Sequence, residues 1–286
     1  MNLLLNNIKR VGISLRPSSP ELKEMFFQVK ALFEKHDIEV VIDSRSGAMI
    51  DVLGQEFKRL CEHCDILVTL GGDGTLISAV RRSYGYNLPI LGIHAGKLGF
   101  LADIAPDEIE SFVEKLVCGN YRIDKRALLE ARIKTKKGET KVIAFNDMVF
   151  TRQSISKMIH LDTFVDGQSF NTYYGDGLII STPTGSTAYN LSAGGPVLFP
   201  LTQVFALTPI CPHSLTQRPV VLPGQFEIEI KTPDVSALAI VDGQDMYEFG
   251  AGDKIIISLA PESAQLIHRK EFNYFDVLKE KLSWGE

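Results

Sequence analysis

Residues 71–75 read Gly-Gly-Asp-Gly-Thr, a short segment whose residue types suit the handling of phosphate. Glycine lets a ligand approach the main chain, and a turn that opens a helix points free N–H groups toward that ligand. Asp73 is a poor phosphate ligand by itself, but it could take a proton from a hydroxyl group or act through Mg²⁺. The alternative is structural, with Asp73 or Thr75 capping the helix while the glycines form the turn. The segment matches neither a Walker P-loop nor the fingerprint Gly-x-Gly-x-x-Gly, so its role depends on the rest of the chain.

A second chemical centre spans residues 173–196, which are rich in glycine, serine and threonine. Asp176 and nearby backbone groups could read the edge of a heterocyclic base, Tyr189 could stack on that base, and the hydroxyl groups could hold a sugar or phosphate. The alternative is a loop that binds no ligand. The whole composition, following an apolar strand, favours a site for a flat heterocycle.

Two shorter polar segments carry similar chemistry. Asn146 and Asp147 interrupt an apolar strand, where adjacent polar groups cost stability unless they are satisfied. A bulge at the end of this strand would present both side chains to a sugar diol. Residues 242–244, Asp-Gly-Gln, end another predicted strand and are equally consistent with a hairpin turn and with part of the site.

The elements that must position these segments fall into two groups. In the first 120 residues, predicted strands at 8–15, 38–42, 66–70 and 89–93 alternate with predicted helices at 20–33, 49–64, 75–84 and 106–117. This alternation indicates an α/β domain with a mainly parallel sheet, whose ligands bind beyond the carboxyl ends of the strands. The 71–75 turn lies at such an end, and so does the segment at residues 94–100.

Beyond about residue 120 the pattern changes to mainly antiparallel β structure. Strand-like segments, separated by turns rich in glycine, aspartate and proline, lie at residues 128–135, 141–151, 160–165, 177–181, 226–231, 237–241, 254–259 and 265–268. Residues 274–282 again have a helical pattern. We therefore predict an α/β domain at residues 1–120 and a β-rich ligand-binding domain at 121–272, with the active site between them. A C-terminal helix at about 273–286 is expected to pack back on the first domain.

Composition and charge narrow the class of protein. The 286 residues carry a net charge of −5 and a pI of about 5.8, which predicts no nucleic-acid partner. No apolar run approaches the ~20 residues that span a membrane, so no membrane partner is expected, and the N-terminus does not read as a signal peptide. Four cysteines in a chain of this length predict a reducing, cytoplasmic setting rather than a disulfide framework. Cys61 and Cys64 have no second pair at zinc-site spacing, which favours a structural role.

Taken in order along the chain, these segments resemble those of NAD kinases, above all the run Thr-Pro-Thr-Gly-Ser-Thr-Ala-Tyr at residues 182–189. Residues 71–75, 146–147, 176–177 and 242–244 follow the same order as in that family, and residues 191–196 and 209–213 resemble its bacterial members. The glycine-aspartate turn alone is also shared with diacylglycerol-type lipid kinases and phosphofructokinases. The 182–189 run is far more specific.

The resemblance implies phosphorylation of the 2′-hydroxyl of the adenosine ribose of NAD⁺, with ATP or polyphosphate as the donor, to give NADP⁺. It implies that Asp73 is the general base and that the chain forms a homodimer or homotetramer. It also implies that Mg²⁺ or another divalent cation is held mainly by phosphates rather than by the protein. The nucleotide-binding residues that it implies are Gly72, Asp73, Gly74, Phe100, Asn146, Asp147, Lys157, Asp176, Thr187, Ala188, Tyr189, Ser192 and Gln244.

Two positions depart from the family pattern, and two other hypotheses stay open. Many members have Glu where Asp147 stands, which shortens its reach by one methylene group, and many have Asn where His94 stands. A lipid or sugar kinase built on the same turn is disfavoured by the polar segment at residues 182–192. A dinucleotide-binding regulator without catalysis is disfavoured by the intact Asp73. The chain has no Gly-x-Ser-x-Gly hydrolase elbow, and its six histidines form no metal-ligand cluster at helical spacing.

Overall fold

The computed structural model describes residues 8–96, 99–153 and 157–285. The chain forms two compact units: the first runs to Lys125 and resumes at Ala264, and the second is Arg126–Ser263. Within the described part of the chain, no helix is long and apolar enough to cross a membrane. Lys97 and Leu98, which belong to the predicted 94–100 segment, lie outside the described residues.

The first unit is a six-stranded sheet with helices. Its strands are β1 (Arg10–Leu15), β2 (Glu39–Ile42), β3 (Ile66–Gly71), β4 (Ile90–His94), β5 (Tyr121–Arg126) and β18 (Ala264–Arg269), and its helices are α1 (Lys23–Glu34), α2 (Ser44–Met49), α3 (Phe57–His63), α4 (Asp73–Arg82), α5 (Ile109–Val117) and α7 (Tyr274–Leu282). The strands follow the order β2-β1-β3-β4-β18-β5 across the sheet. The pairs β1–β2, β1–β3, β3–β4 and β4–β18 are parallel.

The central strands of this sheet are buried on both faces. β3, with the sequence Ile-Leu-Val-Thr-Leu-Gly, is buried at every position, as expected where helices cover both sides of a parallel sheet. The helix α1 buries Phe26, Val29 and Phe33, whose spacing places them on one face, in the same core cluster as β1 and β3. The predicted mainly parallel α/β sheet is thereby confirmed.

Two expectations about the first unit are wrong in detail. Within the range predicted as a helix, 49–64, only Phe57–His63 forms one of its own, α3, and residues 50–56 are not helical. α2 lies almost entirely before that range, because Asp43 accepts hydrogen bonds from the N–H groups of Arg45 and Ser46 and so begins a helix at Ser44. The strand predicted at 265–268 belongs to the first unit, since β18 pairs with β4. The first unit therefore includes residues on both sides of the second, unlike the predicted boundaries at 120 and 273.

The second unit consists of two six-stranded antiparallel sheets. One has the order β10-β9-β14-β17-β6-β7 and the other the order β13-β12-β11-β8-β15-β16. The strands are β6 (Leu129–Thr135), β7 (Gly138–Ala144), β8 (Asp147–Arg152), β9 (Ile159–Val165), β10 (Gln168–Gly175), β11 (Gly177–Ser181), β12 (Val204–Ile210), β13 (Val220–Pro223), β14 (Ile228–Lys231), β15 (Ala237–Val241), β16 (Asp245–Phe249) and β17 (Lys254–Leu259), with one short helix, α6 (Tyr189–Ser192).

The two sheets of the second unit share one apolar core. Leu129 and Ile257 from one sheet and Phe150, Leu178 and Phe205 from the other belong to the same buried cluster. Facing sheets of this kind form a sandwich whose inner side chains interdigitate. The predicted antiparallel β class of the second half is therefore confirmed, and the polar segments of interest lie at the ends of the inner strands β8, β11 and β15.

Candidate functional site

The glycine-aspartate turn joins β3 directly to α4. Gly72 is the N-cap of the helix and Asp73 is its first residue, so neither Asp73 nor another side chain caps this helix from the N-cap position. β3 and β4 end side by side, with Gly71 opposite His94 in the parallel register. The N–H of Ala95 donates to the carbonyl of Gly71 at 2.8 Å. The turn and the segment that follows β4 are therefore adjacent at the carboxyl edge of the sheet.

The carboxylate of Asp73 is held by three consecutive main-chain N–H groups. Phe100 donates to Oδ2 at 2.8 Å, and Leu101 and Ala102 each donate to Oδ1 at 3.2 Å. Each carboxylate oxygen can accept about two hydrogen bonds. Oδ2 therefore retains an acceptor position, in an orientation that the other bonds fix. Phe100, predicted as a nucleotide contact, thus lies beside Asp73 through its backbone.

The glycines of this region differ in how much space surrounds them. A Cβ at Gly71 would overlap Thr75, and one at Gly99 would overlap the Asp73 carboxylate. A Cβ at Gly72 or Gly74 would meet nothing within 4 Å. Packing therefore requires glycine at 71 and 99, whereas 72 and 74 keep the main chain open to a ligand. The sequence did not single out Gly99, because its neighbour Asp73 is distant along the chain.

His94 supports the segment after β4. The side chain is buried, and its Nδ1 lies 2.8 Å from the carbonyl oxygen of Gly96. A carbonyl oxygen only accepts, so Nδ1 is the donor and carries the hydrogen. The histidine that stands where the family often has Asn thus makes a local bond that orients the loop.

Asn146 and Asp147 lie where β7 gives way to β8. The strand predicted at 141–151 is divided here: residues 145 and 146 form a bend, and β8 begins at Asp147 in regular register with Ser181 of β11. The bend, rather than the expected bulge, turns these residues. Thr182 donates its N–H to the carbonyl of Asn146 at 2.8 Å and its hydroxyl to the carbonyl of Phe145 at 2.7 Å.

The side chains at this bend carry buried polar atoms, and one of these atoms is an acceptor left unsatisfied within the described chain. The Oδ1 atom of Asn146 is buried and has no hydrogen-bond partner among the described residues, a state that is costly unless something else donates to it. Asp147 is 5% exposed. Burial, with a smaller contribution from the charge of Asp242, raises the pKa of the Asp147 carboxyl to about 7.

The Asp-Gly-Gln segment is both a hairpin turn and a neighbour of this bend. It joins β15 to β16 through Asp242 at φ +50° and Gly243 at φ +64°, the angles of a type I′ turn. The Asp242 carboxylate accepts hydrogen bonds from the N–H groups of residues 145–147. Gln244 is exposed at the end of the turn. The two alternatives left open by the sequence are therefore not exclusive.

The segment at residues 182–196 is organised by a buried residue that the sequence did not single out. Asn190 is completely buried. Its Nδ2 donates to the carbonyls of Ser186 and Pro196, each at 3.0 Å, and its Oδ1 accepts from the hydroxyl of Thr208 at 2.7 Å. The only signal for it in the sequence was an amide among small residues. These bonds tie α6 to the residues on either side of it and to β12.

The predicted contacts in that segment lie on its outer side. Tyr189 is 46% exposed at the start of α6, Ser192 is exposed, and Thr187 and Ala188 are half-buried. An aromatic ring left at the surface of a rigid segment is available for stacking on a flat base. These four residues are near neighbours in the chain, and their contact with a nucleotide stays a prediction.

Asp176 and Lys157 lie elsewhere. Asp176 precedes β11, whereas Asp147 pairs with the last residue of that strand. Five strand residues separate the two positions by about 17 Å. Asp176 forms an ion pair with Arg152 at 2.9 Å, and Arg152 and Lys157 line a cavity of about 350 Å³. Asp176 and Lys157 therefore lie away from the bend that carries Asn146 and Asp147 in the same chain, and their contact with the nucleotide stays a prediction.

Comparison with known proteins finds family models that match both halves of the chain. The ATP-NAD kinase N-terminal domain family matches residues 11–121, and the ATP-NAD kinase C-terminal domain family matches residues 145–269. The NAD kinase of Sulfurimonas denitrificans is 60% identical over 279 residues, covering 98% of each chain. That of Wolinella succinogenes is 55% identical, covering 99% of this chain and 98% of its own.

Solved structures show the same fold. Yeast NADH kinase complexed with NADH superposes with a TM-score of 0.92 at 27% identity, covering 98% of this chain and 89% of its own. An NAD kinase from Archaeoglobus fulgidus in complex with ATP gives a TM-score of 0.78 at 25% identity, covering 96% and 98%. With identity of up to 60% over almost its whole length, this chain belongs to the NAD kinase family.

Proposed function

We propose that this protein transfers a phosphoryl group from ATP to the 2′-hydroxyl of the adenosine ribose of NAD⁺, giving NADP⁺. The observation that carries the proposal is the 60% identity to an NAD kinase over 98% of both chains. One related solved structure holds NADH, a dinucleotide of the same class as the phosphoryl acceptor, and the other holds ATP, the phosphoryl donor. The buried, partnerless Asn146 Oδ1 beside Asp147 supports a ligand rich in hydroxyl groups.

Asp73 is the proposed general base. The 2′-hydroxyl oxygen attacks the γ-phosphorus of ATP, the bond from that phosphorus to the β,γ-bridging oxygen breaks, and the hydroxyl proton passes to Oδ2 of Asp73. The three N–H donors to its carboxylate fix the direction of the remaining acceptor position. The N-terminus of α4, where neither Gly72 nor Gly74 carries a side chain, is the proposed place of the phosphates.

A divalent cation such as Mg²⁺ would neutralise the phosphate charge during transfer. Within residues 8–96, 99–153 and 157–285, no three His, Cys, Asp or Glu side chains form a group that could hold a metal. Mg²⁺ commonly binds through one or two carboxylates together with substrate phosphates and water. The residues present fit a cation that the phosphates hold for the most part, which stays a prediction.

We also propose that the protein acts in the cytoplasm as a homodimer or homotetramer. The four cysteines are free thiols, the state that a reducing compartment favours. The oligomer is proposed from the resemblance to the family. Light scattering during size-exclusion chromatography tests it, and a mass of one chain at micromolar concentration would overturn it.

The activity is tested by incubating the purified protein with NAD⁺, Mg²⁺ and either ATP or polyphosphate. An NADP-specific dehydrogenase then reports the product. We expect NADP⁺ with ATP, and the polyphosphate arm measures donor choice. Diacylglycerol offered in place of NAD⁺ tests the lipid-kinase hypothesis. The absence of NADP⁺ with both donors would overturn the proposal, and NAD⁺ binding without turnover would favour the non-catalytic regulator.

A further inference from the structure

Asp242 makes an unusual set of contacts for a hairpin turn. Its Oδ2 accepts from the N–H of Phe145 at 2.8 Å, and its Oδ1 accepts from the N–H groups of Asn146 at 2.7 Å and Asp147 at 3.0 Å. In return, the N–H of Asp242 donates to the carbonyl of Asp147 at 3.0 Å. Four hydrogen bonds thus tie one turn to three consecutive residues that lie almost a hundred positions earlier.

The turn that carries Asp242 is held by its own hydrogen bond and by the sheet. The N–H of Gln244 closes it by donating to Val241 at 2.9 Å. β15 pairs with β8 in a register that sets Val241 opposite Met148, so the turn emerges beside the first residue of β8. The carboxylate is therefore placed by the sheet before any ligand arrives, which is the condition for an effective positioning group.

The same contacts leave few polar groups of the bend available to a ligand. The carboxylate of Asp242 accepts from the N–H groups of residues 145–147, and the N–H of Thr182 donates to the carbonyl of Asn146. The ligand is left with the side chains: the partnerless Oδ1 of Asn146 and the buried carboxyl of Asp147.

The surroundings of Asp147 contain one strong electrostatic neighbour. On β11 it faces Ser181, which does not titrate near neutral pH, and on the β15 side it faces the turn that carries Asp242. Asp242 is the charged group that acts on the Asp147 carboxyl. Burial and this neighbour raise the pKa of Asp147 to about 7.

We propose that Asp242 is a positioning residue for dinucleotide binding: it fixes the Asn146–Asp147 pair, and its charge adds to the effect of burial on Asp147, so that the binding of NAD⁺ releases a proton from Asp147 to the buffer. The inference rests on the proposed function. Below pH 7 the Asp147 carboxyl holds its proton, and ribose hydroxyl groups that donate to its oxygens favour the ionised form. The affinity for NAD⁺ therefore rises as the pH rises toward 7.

The first test compares Asp242→Asn with a matched control, Asp166→Asn. Asp166 lies in another Asp-Gly hairpin turn of the same unit, at φ +47°, and its carboxylate accepts one N–H, from Glu227. Asn at position 242 keeps two of the three bonds but turns an NH₂ group toward the N–H of Phe145. We expect KM for NAD⁺ to rise about tenfold, with KM for ATP changed less than twofold. The control should leave both KM values unchanged.

The second test measures the proton. Isothermal titration of NAD⁺ in buffers of different ionisation enthalpy, between pH 5.5 and 8.5, gives the number of protons released. The wild type should release a proton below pH 7, Asp147→Asn should release none, and Asp242→Asn should shift the release to lower pH because one cause of the raised pKa is removed. A purely structural role for Asp242 would weaken binding without moving this profile.

Each outcome is decisive for one claim. A wild type that does not bind NAD⁺ overturns the proposed function itself. A wild type that binds NAD⁺ with no release at any pH, or an Asp147→Asn variant that still releases a proton, overturns the inference alone. If circular dichroism shows that Asp242→Asn does not fold, Asp242→Glu and Asp242→Ala replace it. Asp242→Glu keeps the charge, and a proton-release profile near that of the wild type in this variant supports the proposal. A folded Asp242→Ala whose proton-release profile is unshifted overturns it.

Discussion

At the scale of single residues, two aspartates accept hydrogen bonds in the same pattern but have different proposed roles. Asp73 and Asp242 each accept hydrogen bonds from three consecutive main-chain N–H groups, at residues 100–102 and 145–147. Hydrogen bonds to an ionised acceptor are among the stronger ones in proteins, so both carboxylates are held in one orientation. One is proposed to receive a proton, and the other holds the residues that are proposed to bind the substrate.

Replacing Asp73 with Asn separates binding from turnover. We expect kcat to fall by about 10²–10⁴, the range for loss of a positioned base, while KM for NAD⁺ changes little. Because an amide NH₂ replaces one acceptor for the N–H groups of residues 100–102, Tm should also fall by a few degrees. Steady-state kinetics and thermal unfolding measure the two effects, and a kcat like that of the wild type would refute the assignment of the base.

Removing the ring of Tyr189 tests the proposed stacking surface. The ring is 46% exposed, so Tyr189→Ala should cost little stability, but KM for NAD⁺ should rise about tenfold through lost stacking on the base. Phe27→Ala, an equally exposed aromatic residue on α1, serves as the control. An unchanged KM for NAD⁺ in the Tyr189 variant would count against this surface.

Asp147 also predicts a dependence of stability on pH. Its pKa is about 7 in the folded protein against an ordinary 3.8, so the unfolded chain ionises first. The contribution of Asp147 to the free energy of unfolding is fully present below pH 4. It is lost as the pH rises from 4 to 7, at up to about 1.4 kcal/mol per pH unit. Asp147→Asn lacks this loss, so its free energy of unfolding relative to wild type should rise over that interval.

Urea unfolding at pH 4.5, 6 and 8 measures the effect. Glu262→Gln, which changes an exposed carboxylate of the same unit, provides the control and should show no such trend. A constant difference between Asp147→Asn and wild type at all three pH values would mean that Asp147 does not hold a raised pKa.

At the scale of elements, the parallel register of β3 and β4 places the glycine-aspartate turn beside the segment that follows β4. Their ends lie side by side, so a turn that opens α4 and a segment about 25 residues later share one edge of the sheet. The alternation of apolar and amphipathic segments predicted β1, β3 and β4 to within two residues. The helix α2 was missed because its start is set by the Asp43 cap rather than by a helical spacing of apolar residues.

The open backbone of the turn can be tested with Gly74→Ala. A methyl group at this position meets no atom within 4 Å, and alanine favours a helix by about 1 kcal/mol over glycine. Tm should therefore stay equal or rise, while KM for ATP rises because the methyl group occupies the space for the phosphates. A variant with unchanged KM for ATP would show that phosphate does not approach here.

At the scale of the whole molecule, each unit has its own apolar core, but the two differ in continuity. The second unit is one segment of chain, whereas the first is closed by residues that follow it. β18 lies between β4 and β5 in the sheet, so the last part of the chain completes the first unit rather than extending the second.

Truncation tests this asymmetry. A chain that ends at Ser263 should lose the cooperative unfolding of the first unit, because removing β18 strips hydrogen-bond partners from two strands and removes the buried side chains of Ile267 and Tyr274. A fragment of residues 126–263 should keep a cooperative thermal transition and antiparallel β circular dichroism. A stable first unit in the shortened chain would contradict the role given to β18.

The sequence by itself determined the classes of both halves, the family and the segments that carry chemistry, because strand and helix periodicity and the 182–189 run are properties of neighbouring residues. Only the tertiary structure decided what these residues do for one another. It joined Asp73 to a segment 27 residues away, joined Asp242 to a bend 97 residues away, and separated Asp176 from Asp147 along β11. These relations depend on the order and register of strands, which bring distant residues together through hydrogen bonds that no local pattern encodes.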